Sequence, residues 1–321
     1  DVGVVTNITH EHLDYHGSYE AYRDAKARLF TGLAQTAEKP QGNPRLAVLN
    51  RDDSSYEFLA SVTHARQVSY SLNPGADLVA QNVEYSPSGI RFTVTGPDGL
   101  RLQIHSHLVG AYNVSNCLAA LGATIYGVNV PPDAAAEGIA ALAGVPGRME
   151  RIDLGQDFTA IVDFAHTPNA LRRVLETVRQ MTSGRVIAVF GSAGLRDREK
   201  RRMMAEVSAE LADLSVLTAE DPRTEALDAI LDEMAEGAVS RGGVRGRSFV
   251  LVPDRGDALR YAVGQAKPGD VVIACGKGHE QSMCFAETEY PWDDRVAMRA
   301  ALAERLNVEG PEMPYLPTQK K

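Results

Sequence analysis

Residues 158–171 read Phe158-Thr-Ala-Ile-Val-Asp163-Phe-Ala-His166-Thr-Pro168-Asn-Ala-Leu171. An apolar run of strand length ends at an acid, and Pro168 then opens a helical pattern, where a missing N–H costs nothing and the fixed φ already suits a helix. The same unit recurs toward the C-terminus. Strand patterns at 185–190, 214–218, 249–252 and 271–275 alternate with helical patterns that begin near Asp197, Thr224 and Asp257. Strict alternation of this kind predicts an α/β fold, a parallel Rossmann-like sheet with helices on its faces. Ligands of such sheets bind beyond the carboxyl ends of the strands. The loops 163–168, 191–200, 219–224 and 276–280 are therefore expected to line one rim.

Upstream, Val2 to Asn7 reads as a buried-type strand running into a His-rich loop. Residues 19–33 have helical spacing, with Tyr22, Ala25, Leu29 and Leu33 assigned to the buried stripe. A strand follows at Leu46 to Asn50. Residues 67–108 then alternate apolar and polar, punctuated by Ser88-Gly89 and Asp98-Gly99, which are hairpin signals. Helical runs at 112–126 and 132–142 lead into Gly144-Val-Pro-Gly-Arg148, a turn-rich hinge. The expected division is a first domain over 1–147 and a second over 148–321. The chain opens on a strand pattern with no initiator Met and no preceding turn, and is read as a fragment beginning inside a domain.

Composition narrows the function. The 321 residues carry 42 acidic and 33 basic side chains, a net charge of −9, so the whole-chain field repels nucleic acid and anionic lipid. An acidic small substrate must then be met by local Arg or Lys, by a metal, or by helix N-termini. Cys117, Cys275 and Cys284 are odd in number and lack C-x-x-C spacing, so neither a disulfide framework nor a zinc ribbon is indicated, and a reducing cytoplasm fits best. No apolar stretch approaches the roughly 18 residues of a membrane span.

Thr9-His-Glu-His-Leu-Asp-Tyr-His16 packs three His and two carboxylates after the first strand, so a metal is the obvious hypothesis. His10, His12 and Asp14 begin the binuclear-hydrolase pattern H-x-H-x-D-H, but Tyr15 stands where its last His belongs. A polar loop with hydrogen-bonding His residues is the other reading. Taken with Ala25-Lys26-Ala27, however, the segment closely resembles the Mur ligases of peptidoglycan synthesis, and among them the E-type, tripeptide-forming branch. The resemblance implies that His12 ligates a Mg²⁺ and that CO₂ carbamylates Lys26. Carbamylation would replace a repelling ammonium by the oxygen anion that Mg²⁺ prefers.

Further motifs follow the same family in order. In Leu108-Val-Gly-Ala-Tyr-Asn113, Asn113 resembles an ATP contact, and Arg148 in Pro146-Gly-Arg-Met-Glu resembles the linker arginine that reaches a phosphate. Asp163-Phe-Ala-His166-Thr-Pro matches D-Y-A-H-T-P, which implies His166 near the nucleotide phosphates. Gly191-Ser-Ala-Gly-Leu195-Arg196-Asp-Arg-Glu-Lys-Arg201 resembles the loop whose arginine binds the incoming amino acid, here Arg196, with Ala193, Leu195 and Glu199 departing from its Gly and acidic positions.

Glu220-Asp221-Pro222-Arg223 resembles D-N-P-R, the amino-acid selector. An Arg fork suits the distal carboxylate that meso-diaminopimelate carries and lysine or ornithine lacks. Glu220 lengthens the Asp of that motif, and Asp221 replaces its Asn with a charge that could pair with Arg223 or hold a bare ammonium. Gly276-Lys-Gly-His-Glu280 matches G-K-G-H-E, which implies that Gly276 and Glu280 hold the amino acid. No G-x-x-x-x-G-K-[ST] phosphate cradle occurs in the chain. The resemblance places that cradle, a Glu metal ligand and a UDP-sugar domain before the first strand, so the chain corresponds to about the last two-thirds of a family enzyme.

The implied organisation is a truncated central ATPase domain followed by a Rossmann-like ligase domain. The implied reaction activates the D-Glu γ-carboxylate of UDP-MurNAc-L-Ala-D-Glu with ATP to an acyl phosphate, which a diamino acid then attacks to form an amide. The implied enzyme is a cytoplasmic monomer using Mg²⁺ and ATP, without nucleic acid or membrane partners. A non-catalytic amino-acid-binding module and a metal-dependent hydrolase are the alternatives.

Overall fold

The computed structural model describes residues 1–8, 16–40, 42–86 and 89–319. The chain separates into two compact units, Asp1–Ala143 and Gly144–Lys321.

In the first unit, β1 (Val2–Val5), β2 (Leu46–Asn50), β3 (Arg66–Ser71), β4 (Leu78–Ser86), β5 (Gly89–Thr95) and β6 (Arg101–Ser106) form one sheet in sequential order. Pairing is parallel from β1 to β4 and antiparallel from β4 to β6. Crossover helices α1 (Tyr19–Leu33) and α2 (Tyr56–Val62) serve the parallel part, and α3 (Ala111–Leu121), a π-turn at Gly122–Gly127, and α4 (Pro132–Ala141) follow. On α1 the buried positions are Ala27, Phe30 and Leu33, while Leu29 is exposed. The expected stripe through Ala25 and Leu29 is therefore rotated by about one residue, roughly 100° of helix. Phe30, with more apolar area to bury than Leu29, takes the inward position.

The second unit has a six-stranded sheet in the order β11-β10-β9-β12-β8-β7. Its strands are β7 (Glu150–Ile152), β8 (Thr159–Asp163), β9 (Val186–Phe190), β10 (Leu214–Leu217), β11 (Phe249–Leu251) and β12 (Val271–Cys275). All pairs are parallel except β7 with β8. The helices are α5 (Pro168–Met181), α6 (Glu199–Leu211), α7 (Leu227–Ser240), α8 (Arg255–Gln265) and, after the hairpin β13 (Ser282–Phe285) and β14 (Thr288–Pro291), α9 (Asp294–Leu306). Every residue of β9 and β12 is buried, as expected of central parallel strands covered on both faces. Thr167 caps α5, its hydroxyl accepting from Ala170 N at 3.2 Å, and Asp254 caps α8 by accepting from Asp257 N at 2.9 Å. With β8, β9, β10 and β12 parallel, their carboxyl ends share one rim.

Candidate functional site

Buried carboxylates and cations hold that rim together. Asp163, at the end of β8, accepts from Met149 N at 2.7 Å and Ala165 N at 2.8 Å, fixing the approach of the chain from Arg148 and its exit toward His166. Burial raises the Asp163 carboxyl above its ordinary range; those two bonds and the Arg148 charge offset only part of the rise. Next to it, the Phe164 ring collects three groups. His166 lies 4.6 Å away, His279 lies 4.9 Å away, and the Arg148 guanidinium sits over the ring face at 4.6 Å. The His166 Nδ1 is 3.0 Å from the Phe164 carbonyl oxygen. Because Thr167 supplies the helix cap, the His166 ring is not consumed in capping.

On the other side of β12, Glu220 is 6% exposed, and its Oε2 has no hydrogen-bond partner among the described residues. Burial pushes this carboxyl up, opposed by the charges of Lys200, Arg255, His166 and Lys277. Gly276 faces it with φ of 111°, and a Cβ there would stand 3.0 Å from that Oε2. Glycine thus supplies both the backbone conformation and the space in front of the unpaired oxygen.

The buried Lys277 donates to Asp221 Oδ1 at 2.9 Å and pairs with Glu280 at 2.7 Å. Burial alone would lower the Lys277 ammonium, but Glu280 and Asp221 together raise it above its ordinary value. Asp221 also accepts from Cys284 N at 2.9 Å, so its charge is spent on Lys277 and the β13 backbone. Of the two roles open to Asp221, it holds an ammonium, that of Lys277, rather than pairing with Arg223. Arg223 instead has its nearest acceptor at Gly194 O, 3.5 Å from Nη1, and forms no ion pair among the described residues. The adjacent Pro222 is buried, which fixes the turn that presents Arg223. Arg196 is exposed on the facing loop, one residue after Leu195, which is 61% exposed at a φ of 55°.

In the first unit, Asn113 is tied into its own helix start: Nδ2 donates to Val109 O at 2.8 Å, and Oδ1 accepts from Asn116 Nδ2 at 3.0 Å. Lys26 is exposed on α1, with its ammonium 5.3 Å from the Tyr22 ring centre and no ion pair among the described residues. His10, His12 and Asp14 lie outside the described residues. Among the described residues no group of three or more His, Cys, Asp and Glu side chains is arranged to hold a metal, and no helix is long and apolar enough to cross a membrane.

Several residues that shape the rim carried no motif signal of their own. Arg255 and Asp294 are fully buried together, and Arg255 also donates to the carbonyls of Ala219 at 3.1 Å and Cys275 at 2.8 Å, the residues just before Glu220 and Gly276. Phe164, His279 and Lys277 sit inside the motifs, but spacing alone gives them no role. Their contacts depend on which strand ends become neighbours, which spacing along the chain does not reveal.

A mostly parallel six-stranded sheet whose loops gather at one carboxyl rim defines a Rossmann-like α/β protein of the kind that binds its ligands at that rim. Residues 1–124 match the Mur ligase middle domain, and residues 147–278 match the Mur ligase glutamate ligase domain. The chain belongs to the Mur ligase family. It is 43% identical over 308 residues to a UDP-N-acetylmuramyl-tripeptide synthetase of Roseiflexus sp. (strain RS-1), covering 95% of this chain and 60% of that protein. It is 41% identical over 306 residues to the UDP-N-acetylmuramoyl-L-alanyl-D-glutamate–2,6-diaminopimelate ligase of Geobacillus thermodenitrificans (strain NG80-2), covering 95% and 61%. A solved structure of a ligase with that second name superposes with a TM-score of 0.62 at 32% identity, covering 95% of this chain and 61% of that one. The chain thus spans about 60% of the length of the curated relatives it matches.

Proposed function

We propose that this chain is the ATP-using and amino-acid-binding portion of a cytoplasmic ligase that joins a diamino acid to UDP-MurNAc-L-Ala-D-Glu through an acyl phosphate. The observation that carries the reading is the rim of the second unit. Arg196 and Arg223, on two loops of that rim, form no ion pair among the described residues, and on the same rim the buried Oε2 of Glu220 has no hydrogen-bond partner among them. Cation and anion sites offered together suit a zwitterion, and a diamino acid presents both an ammonium and a carboxylate. Arg223 favours meso-diaminopimelate over L-lysine or L-ornithine, because Asp221 is already neutralised by Lys277 and leaves the Arg223 fork for a distal carboxylate. Gly276 keeps the approach to Glu220 open, and Glu280 extends the acidic side of the site.

At the nucleotide side, Arg148 held over Phe164, together with His166, would meet phosphate charge as it develops. Asn113 would contact the nucleotide from the start of α3. Lys26 suits carbamylation, being exposed and unpaired by any acid among the described residues. A Lys26 carbamate would offer Mg²⁺ the hard oxygen it prefers, with His12 as a nitrogen donor, and the ion would supply charge neutralisation for phosphoryl transfer.

Calorimetric titration of the chain with meso-diaminopimelate, L-lysine and L-ornithine tests the reading. Saturable binding, tightest for meso-diaminopimelate, is expected. Binding of none of the three by folded protein removes the amino-acid site, and tighter binding of L-lysine or L-ornithine reverses the assignment of Arg223.

A further inference from the structure

The two loops that carry Arg196 and Arg223 are laced together by one carboxylate. Glu225 accepts a hydrogen bond from the amide of Leu195, the residue immediately before Arg196. The same side chain pairs with Arg201, which is wholly buried and donates from Nη2 at 2.9 Å. Arg201 in turn reaches Ala193 O at 3.3 Å and Glu233 at 3.0 Å, so it grips the Arg196 loop from below. On the other side, Glu225 N closes the turn onto Pro222 O at 3.1 Å, two residues after Arg223. The loops themselves touch: Gly194 N donates to Asp221 O at 2.9 Å, and a Cβ on Gly194 would fall 2.0 Å from Pro222 O. The Leu195 amide bond and Arg201 together outweigh burial and hold the Glu225 carboxyl below its ordinary range, so the clamp is ionised at neutral pH.

Both arginine loops are in left-handed backbone at the critical points, Leu195 at φ of 55° and Arg223 at 53°. Such conformations persist only where the surroundings fix them, and here Glu225 joins the two loops, its carboxylate accepting from Leu195 N and its backbone N–H closing the turn onto Pro222 O. We propose that Glu225 is a positioning residue that sets the separation of Arg196 and Arg223, and through it the affinity and selectivity for the diamino acid. The inference rests on the reading of those two arginines as amino-acid contacts. Glu225 itself touches no substrate. It acts through the Leu195 amide and the closed turn.

The test is a double-mutant cycle on the chain, read as the dissociation constant for meso-diaminopimelate, with L-lysine and L-ornithine in parallel and thermal unfolding as a control. Glu225→Ala is expected to weaken binding roughly tenfold or more, the usual scale for a charge-assisted hydrogen bond. On an Arg196→Ala background it is expected to cost less than about twofold further, because residues acting through one another are not additive. Glu225→Gln keeps an acceptor for the Leu195 amide and the fold but gives up the charge against Arg201, so a loss of about threefold is expected; it replaces the Ala variant in the cycle if the latter fails to fold. Unchanged affinity in folded Glu225→Ala, or the same fold-loss on both backgrounds, overturns the proposal while leaving the amino-acid site standing. No binding of any diamino acid by the unsubstituted chain overturns instead the reading of Arg196 and Arg223 on which it rests.

Discussion

Arg255 and Asp294 form a bidentate ion pair, 2.7 Å from Nε and 2.6 Å from Nη2, with both side chains completely buried. The pair is more than a core contact, since the remaining donors of Arg255 reach the Ala219 and Cys275 carbonyls at the mouths of β10 and β12. Trp292 completes the group by donating its indole N–H to Asp294 Oδ1 at 2.8 Å. A guanidinium with one acid and two carbonyls to satisfy is how this rim keeps Glu220 and Gly276 facing one another.

Removing one partner leaves the other charged, buried and alone, which costs about 3–5 kcal/mol. Asp294→Ala is therefore expected to lower unfolding free energy by about that amount in urea titrations. Trp292 is the sole tryptophan, so its fluorescence reports the site directly. A loss under about 1 kcal/mol, the scale of an exposed pair, contradicts this account.

Glu220 makes stability depend on pH in a defined direction. Its carboxyl is raised in the folded state by burial, so folded and unfolded chains bind the proton alike at low pH. As pH rises past the ordinary carboxylate value, the unfolded chain loses the proton first, and the folded state becomes relatively less stable. Glu220→Gln removes that dependence. In the absence of amino acid, the variant is expected to melt above the unsubstituted chain at pH 8, with the gap closing toward pH 4; a gap of opposite sign refutes the assignment.

Gly276→Ala puts a Cβ against the unpaired Glu220 oxygen on a backbone that side chains rarely adopt. A stability loss of about 1–3 kcal/mol is expected from the backbone alone. Amino-acid affinity should fall as well, whereas Gly264→Ala, which meets no atom within 4 Å on α8, should leave affinity unchanged. Equal effects of the two substitutions would argue against a ligand approaching Glu220 past Gly276.

Lys26 is tested by chemical rescue. In protein carrying the N-terminal portion of its relatives, Lys26→Ala is expected to lose roughly a hundredfold or more in turnover, the scale on which single electrostatic groups act. Formate should restore part of it by supplying the missing oxygen anion. A flat response across a formate series contradicts the carbamate.

Much of the second unit was legible because its strands are short apolar runs between helix caps, and a period of that kind survives without tertiary information. What escaped was set by contacts distant in sequence. The β13–β14 hairpin turns through Ala286, at a φ of 52°, rather than through an Asn-Gly or Asp-Gly pair, so the usual turn signal is absent. The seven-residue α2 is too short for its apolar period to stand out. Helix α9 does carry a local signal, an Asp293 cap before the buried Ala297, Met298, Ala301 and Leu302. In the candidate site the motif residues could be named from spacing, but the Asp221–Lys277 pair and the Arg255 anchor join residues 56 and 36 positions apart, and only the sheet order brings them together.

The central claim is amino-acid-dependent phosphoryl chemistry, and the most direct measurement is phosphate release from ATP by the chain joined to the N-terminal portion of its relatives, with Mg²⁺ and UDP-MurNAc-L-Ala-D-Glu. The account predicts release that requires a diamino acid, is fastest with meso-diaminopimelate, and is lost in Arg223→Ala. Release that ignores the amino acid, or none with any of the three diamino acids in folded protein, contradicts it.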